Sequence, residues 1–238
     1  MLLRALILTS LILFGFFLIT ERGLLSLTLE SDRSNISTII LTLYALLSLH
    51  WLYLVLQLSA DQKALDETRS YFEGARFLSL REDRVCINDK VLEPGIFSDY
   101  LKDLIKKSEN TSGHEIDHGI LLEALGERLM AKYAFGHYAS DMLLKFGLLG
   151  TIIGFIMMLK PVGELTDFDP NVLQQLLGQM SGGMAVALFT TISGLVTSTL
   201  LALQYQLIDA GAIRFIDRVA VSVDVMVIPM LTSEDQSS

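Results

Sequence analysis

Four long runs of apolar residues dominate the chain, at roughly residues 2–19, 36–58, 142–159 and 182–208. A helix rises 1.5 Å per residue and the hydrocarbon core of a bilayer is about 30 Å thick, so runs of this length match membrane spans with differing tilt. Arg4 lies near the start of the first run and is followed by apolar residues, as in a secretory signal peptide. Because the chain after Leu18 lacks a small-x-small cleavage site, we expect this helix to be retained.

The chain between the second and third runs is its polar part. Residues 59–141 hold 11 of the 18 lysines and arginines and 16 of the 27 acidic residues. The pattern indicates helices rather than strands, with a break at Pro94-Gly95 and helical spacing of apolar positions from Ile116 into the third run. We therefore divide the chain into an N-terminal hairpin, a helical domain, a second hairpin, and a C-terminal helix with a tail, at residues 1–58, 59–141, 142–208 and 209–238.

The distribution of positive charge predicts the orientation. The connector 161–181 contains three acidic residues and no Lys or Arg, whereas the C-terminal segment carries Arg214 and Arg218. Cytoplasmic loops of membrane proteins are enriched in Lys and Arg. We expect the polar domain and both termini to be cytoplasmic, which makes the fold class an all-α polytopic membrane protein with four transmembrane helices and a helical cytoplasmic domain between helices 2 and 3.

Composition excludes some classes of function. The net charge is −9, and no cluster of Lys and Arg is present to displace the counterions of nucleic acid. Cys86 is the single cysteine, so the chain contains no internal disulfide. There is no phosphate-binding glycine loop and no nucleophile elbow, and we predict neither a cofactor nor an enzymatic activity.

Small residues recur at helical spacing in the third and fourth runs, which allows two helices to approach closely in lipid. The stripe on the third run is Gly147, Gly150, Thr151 and Gly154, and that on the fourth is Ala187, Thr191, Gly194 and Ser198. Thr151 and Thr191 lie about nine residues, or roughly 14 Å, from opposite ends of two antiparallel runs. Their hydroxyls are therefore predicted near one level, close to the middle of the membrane.

Two interpretations of these threonines stay open. A membrane threonine often donates to a carbonyl of its own helix, and glycine stripes often serve packing alone. An ion path is the alternative, with Thr151 and Thr191 as its side chains and Thr190 and Ser198 as secondary candidates. A proton path usually needs a titratable group, yet neither run contains Asp, Glu or His. On the ion-path interpretation, another chain supplies the carboxylate.

These residues resemble the MotA/TolQ/ExbB family of ion-driven motor subunits. Gly147-Leu-Leu-Gly-Thr-Ile-Ile-Gly154 is similar to the TolQ/ExbB signature Gly-Leu-[Leu/Phe]-Gly-Thr-Val-x-Gly. Met184-Ala-Val-Ala-Leu-Phe-Thr-Thr-Ile-Ser-Gly-Leu195 is similar to Ile-Ala-x-Ala-Leu-x-x-Thr-Ala-x-Gly-Leu. The resemblance covers about 70 residues, from Asp141 to Ile208. The predicted number of membrane helices, four, is similar to MotA rather than to the three of TolQ and ExbB.

The resemblance implies a homopentamer in a bacterial inner membrane, around the single-span helices of two ExbD/TolR/MotB-like partner chains. An aspartate of the partner would take up and release H⁺ or Na⁺ beside Thr151 and Thr191, and ion flow would drive rotation. Thr190, Ser193 and Thr197 add hydroxyls that suit Na⁺, but their number does not separate Na⁺ from H⁺. Flagellar, outer-membrane, gliding and defence outputs are all compatible with the family.

A second motif, His114-Glu-Ile-Asp-His118, matches the H-E-x-x-H pattern of zinc peptidases. In that pattern two histidines bind zinc and the glutamate, here Glu115, activates water. Position 121 is Leu rather than Gly, and no third ligand is evident. We prefer an exposed helix start, and keep a membrane-anchored metalloprotease and a non-conducting membrane scaffold as alternatives to the motor subunit.

Overall fold

The structure is a computed structural model that describes residues 1–32, 34–72, 78–81, 84–87, 90–92, 95–110, 119–163 and 170–230. Its helices are α1 (Leu2–Glu21), α2 (Leu24–Ser31), α3 (Ile36–Phe72), α4 (Ile96–Asn110), α5 (Gly119–Gly163) and α6 (Pro170–Ser222). A π-helical segment, Val223–Val227, continues α6. Three strands, β1 (Leu78–Arg81), β2 (Arg84–Ile87) and β3 (Lys90–Val91), lie between α3 and α4.

Within the described part of the chain, four stretches are long and apolar enough to cross a membrane: Leu2–Glu21, Ile36–Arg69, Gly119–Gly163 and Val172–Met230. Each contains one of the predicted runs, so the all-α membrane fold with four spanning helices is confirmed. The last three have 34, 45 and 59 residues, and a bilayer core needs only about 20. These three helices are therefore longer than the membrane is thick, and α6 includes the helix predicted after residue 208.

The chain forms two compact units. Unit 1 contains Met1, Leu54–Tyr133 and the chain from Ile208, and unit 2 contains Leu2–Tyr53 and Ala134–Leu207. Each of α3, α5 and α6 is continuous across a boundary and contributes to both units. Unit 2 contains most of each predicted apolar run, and unit 1 contains most of the polar segment.

Unit 1 includes a small antiparallel sheet in the order β1-β2-β3. Val85, Cys86 and Ile87 of β2 are buried, and α4 packs on β1 and β2 with Phe97 and Leu101 inward. The sequence indicated helices rather than strands here, so this sheet corrects the prediction, while α4 and the described part of α5 agree with it. Strands of two to four residues are too short for their periodicity to be recognised.

The core of unit 2 combines close packing with hydrogen bonds between helices. Trp51 is fully buried on α3, and its Nε1 donates to the carbonyl of Gln204 on α6 at 2.5 Å. Ser140 Oγ on α5 donates to the carbonyl of Ser198 on α6 at 2.8 Å. Lipid offers no hydrophobic reward for helix association, so such packing and hydrogen bonds hold the helices together.

The start of α3 is stabilised by a buried carboxylate. Asp32 accepts hydrogen bonds from Ser34 N at 2.9 Å, Ser34 Oγ at 2.5 Å and Ser37 N at 2.6 Å. Burial alone raises the pKa of Asp32, but the hydrogen bonds from Ser34 and Ser37 outweigh it and hold this pKa below its usual value. Asp32 thus satisfies a backbone N–H in the first turn of α3, as a capping side chain does.

Candidate functional site

The glycines of α5 are the positions where α6 approaches most closely. A Cβ placed on Gly147 would lie 3.0 Å from the Cα of Gly194, and one on Gly154 would lie 2.5 Å from the backbone N of Ala187. A Cβ on Gly150 would overlap the side chain of Thr190. Real Cβ atoms essentially never lie within 3.0 Å of another heavy atom, and contacts of 3.0–3.4 Å are rare. A side chain at these three positions would therefore force the two helices apart.

These contacts define the register of the antiparallel pair. Gly147 faces Gly194, Gly150 faces Thr190, and Gly154 faces Ala187. Thr151 and Thr191 are each one residue beyond the facing pair Gly150 and Thr190, so their backbones lie at one level of the helix pair. This register agrees with the level estimated from the sequence.

The same register also determines the side to which the two threonines project. Successive residues turn by about 100° around a helix axis of 3.6 residues per turn. Seen from one end, the chains of two antiparallel right-handed helices rotate in opposite senses. In both helices, the residue that follows a facing pair therefore projects to the same side. Thr151 and Thr191 share this side, and we call the surface that carries them the threonine face.

An open cavity of about 560 Å³ lies on the threonine face. Thr151, Gly154 and Met158 of α5 line it opposite Gly183 and Ala187 of α6. Thr151 Oγ1 donates to the carbonyl of Leu148 at 2.6 Å, and Thr191 Oγ1 donates to the carbonyl of Ala187 at 2.8 Å. A hydroxyl that donates once keeps lone pairs on its oxygen, so each threonine can still accept a hydrogen bond or contact a cation.

The two secondary candidates occupy helix contacts. Thr190 is fully buried against Gly150, and its Oγ1 donates to the carbonyl of Val186 at 2.8 Å. Ser198 is 9% exposed, and its hydroxyl lies 3.5 Å from Ser140 Oγ. The structure therefore brings Thr151 and Thr191 to the threonine face, while Thr190 and Ser198 lie within the α5–α6 contact.

Helix α1 lies on another face of α6. A second open cavity, of about 360 Å³, has α1 on one side and Ser193, Val196 and Leu200 of α6 on the other. At about 100° per residue, these three positions are roughly 140° to 200° around α6 from Thr191. Helix α1 therefore leaves the threonine face open within the chain.

The proposed zinc ligands belong to a segment that the structure does not describe. His114, Glu115 and His118 lie outside the described residues. Among the residues that the structure describes, no group of three His, Cys, Asp or Glu side chains could hold a metal ion.

Two features of the site were not predicted from the sequence: the close approach at Gly183 and a hydrogen bond from Ser140. Gly183 lies four residues before Ala187 and continues the α6 stripe, and a Cβ there would lie 2.5 Å from the backbone N of Met158. Its spacing could have revealed it. The bond from Ser140 to Ser198 had no sequence signal, because an isolated serine does not indicate its partner.

Half of the chain matches a known protein family. A model of the MotA/TolQ/ExbB proton channel family matches residues 96–220, which is slightly more than half of the 238 residues. The match includes α4, α5 and all but the last two residues of α6, and so contains Thr151 and Thr191. A search of curated proteins found no significant match. The matched family is one of proton channels and not a class of enzymes.

Proposed function

The chain belongs to the MotA/TolQ/ExbB proton channel family, and we propose that it is the pore-forming subunit of an ion-driven rotary motor. In this proposal five copies surround two single-span ExbD/TolR/MotB-like chains in a bacterial inner membrane. Both termini and the polar segment face the cytoplasm. The subunit carries H⁺, or Na⁺ in a sodium-driven member, and couples its flow to mechanical work.

The observation that carries the proposal is the threonine face. Thr151 and Thr191 come from two helices, lie near one level and project to the same side, and Thr151 lines an open cavity on that side. Packing alone would not require hydroxyls at Thr151 and Thr191, because the close contacts are made by glycines, by Ala187 and by Thr190. Two hydroxyl oxygens per subunit would form a polar ring around the partner helices.

The chain supplies only part of the ion path. Residues 142–159 and 182–208 contain no Asp, Glu or His, and an ion crossing the membrane interior needs a group that binds it reversibly. We assign that group to an aspartate of the partner chain. The threonine oxygens would accept a hydrogen bond from its protonated carboxyl, and they would coordinate Na⁺ in a sodium-driven motor.

Ion flow would supply the free energy that turns such a device. One elementary charge moving through 100 mV releases about 2.3 kcal/mol, and a hydrogen bond contributes about 1 kcal/mol net. A partner carboxyl that exchanges its hydrogen bond with one threonine for one with the next ends at nearly the same free energy, so the ion flow would give the exchange its direction.

The first experiment replaces the hydroxyls of the threonine face. Valine has nearly the shape of threonine without its hydroxyl, so we expect Thr151→Val and Thr191→Val to reduce ion flux through the reconstituted complex with its partner. Thr199→Val is the matched control, because Thr199 is exposed and its Oγ1 also donates to its own helix, at the carbonyl of Leu195. Unchanged flux in both face variants, with normal assembly, would rule out an ion path here.

The second experiment tests assembly. Gentle extraction followed by single-particle imaging should give five copies of this chain around two partner helices. A ring without a partner, and without ion flux, would favour the non-conducting scaffold instead. Zinc content and proteolysis, compared with a Glu115→Ala variant, test the metalloprotease alternative.

A further inference from the structure

A third open cavity, of about 510 Å³, lies beside α1 in unit 2. It has Thr9, Leu13 and Phe16 of α1 on one side and one face of α3, from Leu41 to Leu52, on the other. The stretch from Leu41 to Leu52 extends about 16 Å along α3 at 1.5 Å per residue. Both helices belong to spans that are apolar enough to cross a membrane.

We propose that this cavity binds an acyl chain of a membrane phospholipid next to the buried Trp51. Only Ala5 and Ile12 of α1 are buried, so α1 packs sparsely and leaves an open space beside it. A groove without an occupant forfeits the dispersion contacts of its lining. At this depth the surrounding solvent is acyl chain, which is the molecule able to restore those contacts.

The polar atoms in the wall of the cavity do not need hydrogen bonds from an occupant. Thr9 Oγ1 donates to the carbonyl of Ala5 at 2.8 Å, and Gln204 Nε2 donates to Ser48 Oγ at 2.9 Å. Gln204 Oε1 and Tyr44 Oη are buried beneath this surface rather than exposed in the cavity. An apolar chain can therefore occupy the cavity without displacing a hydrogen bond.

Trp51 is the single tryptophan of the chain and contributes to the wall, so its fluorescence reports the occupant. The full chain is reconstituted in phosphatidylcholine vesicles whose acyl chains are brominated at mid-chain, and in the same lipid without bromine. Bromine quenches tryptophan only at short range. We expect the brominated vesicles to remove most of the Trp51 emission.

A pair of adjacent substitutions separates lipid in the cavity from lipid around the protein. Ala45→Phe fills the cavity, because Ala45 lines it, and should restore most of the emission in brominated vesicles. Leu46→Phe is the matched control, because Leu46 is exposed and does not line the cavity, and should leave the quenching unchanged. Leu13→Phe fills the cavity from α1 and provides a second test if Ala45→Phe does not fold.

Two results would overturn the proposal. Equal quenching in the filled and control variants would mean that bromine reaches Trp51 only from the outer surface. Absence of quenching in the unmodified chain would mean that no acyl chain enters, as when a neighbouring copy of the chain occupies the cavity. Neither result depends on ion flux, so this test fails or succeeds separately from the proposed motor.

Discussion

Two neighbouring glycines of α6 provide a test of the α5–α6 contact. A Cβ on Gly183 would lie 2.5 Å from the backbone N of Met158 and 2.8 Å from the carbonyl of Gly154, whereas a Cβ on Gly182 would meet nothing within 4 Å. Reaching the 3.4 Å of an ordinary contact requires a shift of about 0.9 Å at Gly183. Backbone atoms cannot rotate away as a side chain can, so Gly183→Ala must separate the helices.

The expected difference follows from that shift. Both glycines lie within α6, so alanine gives each variant the same gain in helix propensity, about 0.5 to 1 kcal/mol. Overpacking costs roughly 1–3 kcal/mol, and a gap of 0.5–1 Å forfeits about a quarter to a half of each dispersion contact along the interface. We expect Gly183→Ala to be less stable than Gly182→Ala by about 1–3 kcal/mol.

Thermal unfolding of the purified chain, followed by circular dichroism, measures this difference under identical detergent conditions. Gly178→Ala is a further control, because a Cβ there also meets nothing within 4 Å. If Gly183→Ala is as stable as the unmodified chain, or more stable, the packing argument is refuted. A comparable loss of stability in Gly183→Ala and Gly182→Ala would show instead that another chain covers Gly182.

Two further predictions concern charged residues of the described chain. Asp32→Asn should lower stability at neutral pH by about 1 kcal/mol, because an amide has one acceptor oxygen and loses the hydrogen bonds either from Ser34 or from Ser37. Because the folded pKa of Asp32 is lowered, its contribution is present above the unfolded value of about 3.9 and is lost as the pH falls through the folded pKa. The difference between Asp32→Asn and the unmodified chain should therefore shrink below about pH 4, and a constant difference from pH 7 to pH 3 would contradict it. Asp66→Asn removes the 3.4 Å ion pair between Asp66 and Arg218, two side chains that are 62% and 60% exposed. Because exposed ion pairs contribute about 0–1 kcal/mol, this substitution should change the unfolding temperature little. A large loss would mean that this pair is buried by another chain.

Much of the membrane architecture could be predicted from local patterns. Each spanning helix forms wherever about 20 apolar residues follow one another, since the backbone must satisfy its own hydrogen bonds in lipid. The stripes of Gly147, Gly150 and Gly154 on α5 and of Ala187 and Gly194 on α6 were predicted for the same reason, because helical period places them on one face. The strands β1, β2 and β3 were not predicted, because each is too short to show a period and depends on its neighbours for pairing.

The candidate site, too, was predicted in part from the sequence and in part only from the structure. The sequence predicted two threonines at one level, because helix rise alone sets depth. It predicted Thr191 as the ion-path residue and kept Thr190 as a secondary candidate, because neighbours on a helix differ little in depth and mainly in their rotation about its axis. The contact of Gly150 with Thr190 resolves this, since it directs Thr190 into the helix contact and Thr191 to the threonine face.

Properties that depend on one helix at a time could be predicted without knowing the fold. They are the length of the helix, its apolar content, the spacing of its small residues and the absence of a carboxylate beside the two threonines. Properties that depend on two helices together could be found only in the structure. The register of α5 against α6, the placement of α1 away from Thr191, and the bond from Trp51 to Gln204 arise from contacts between residues far apart in the chain. Such contacts depend on shape complementarity between surfaces, and periodicity along one helix carries no information about the surface it will meet.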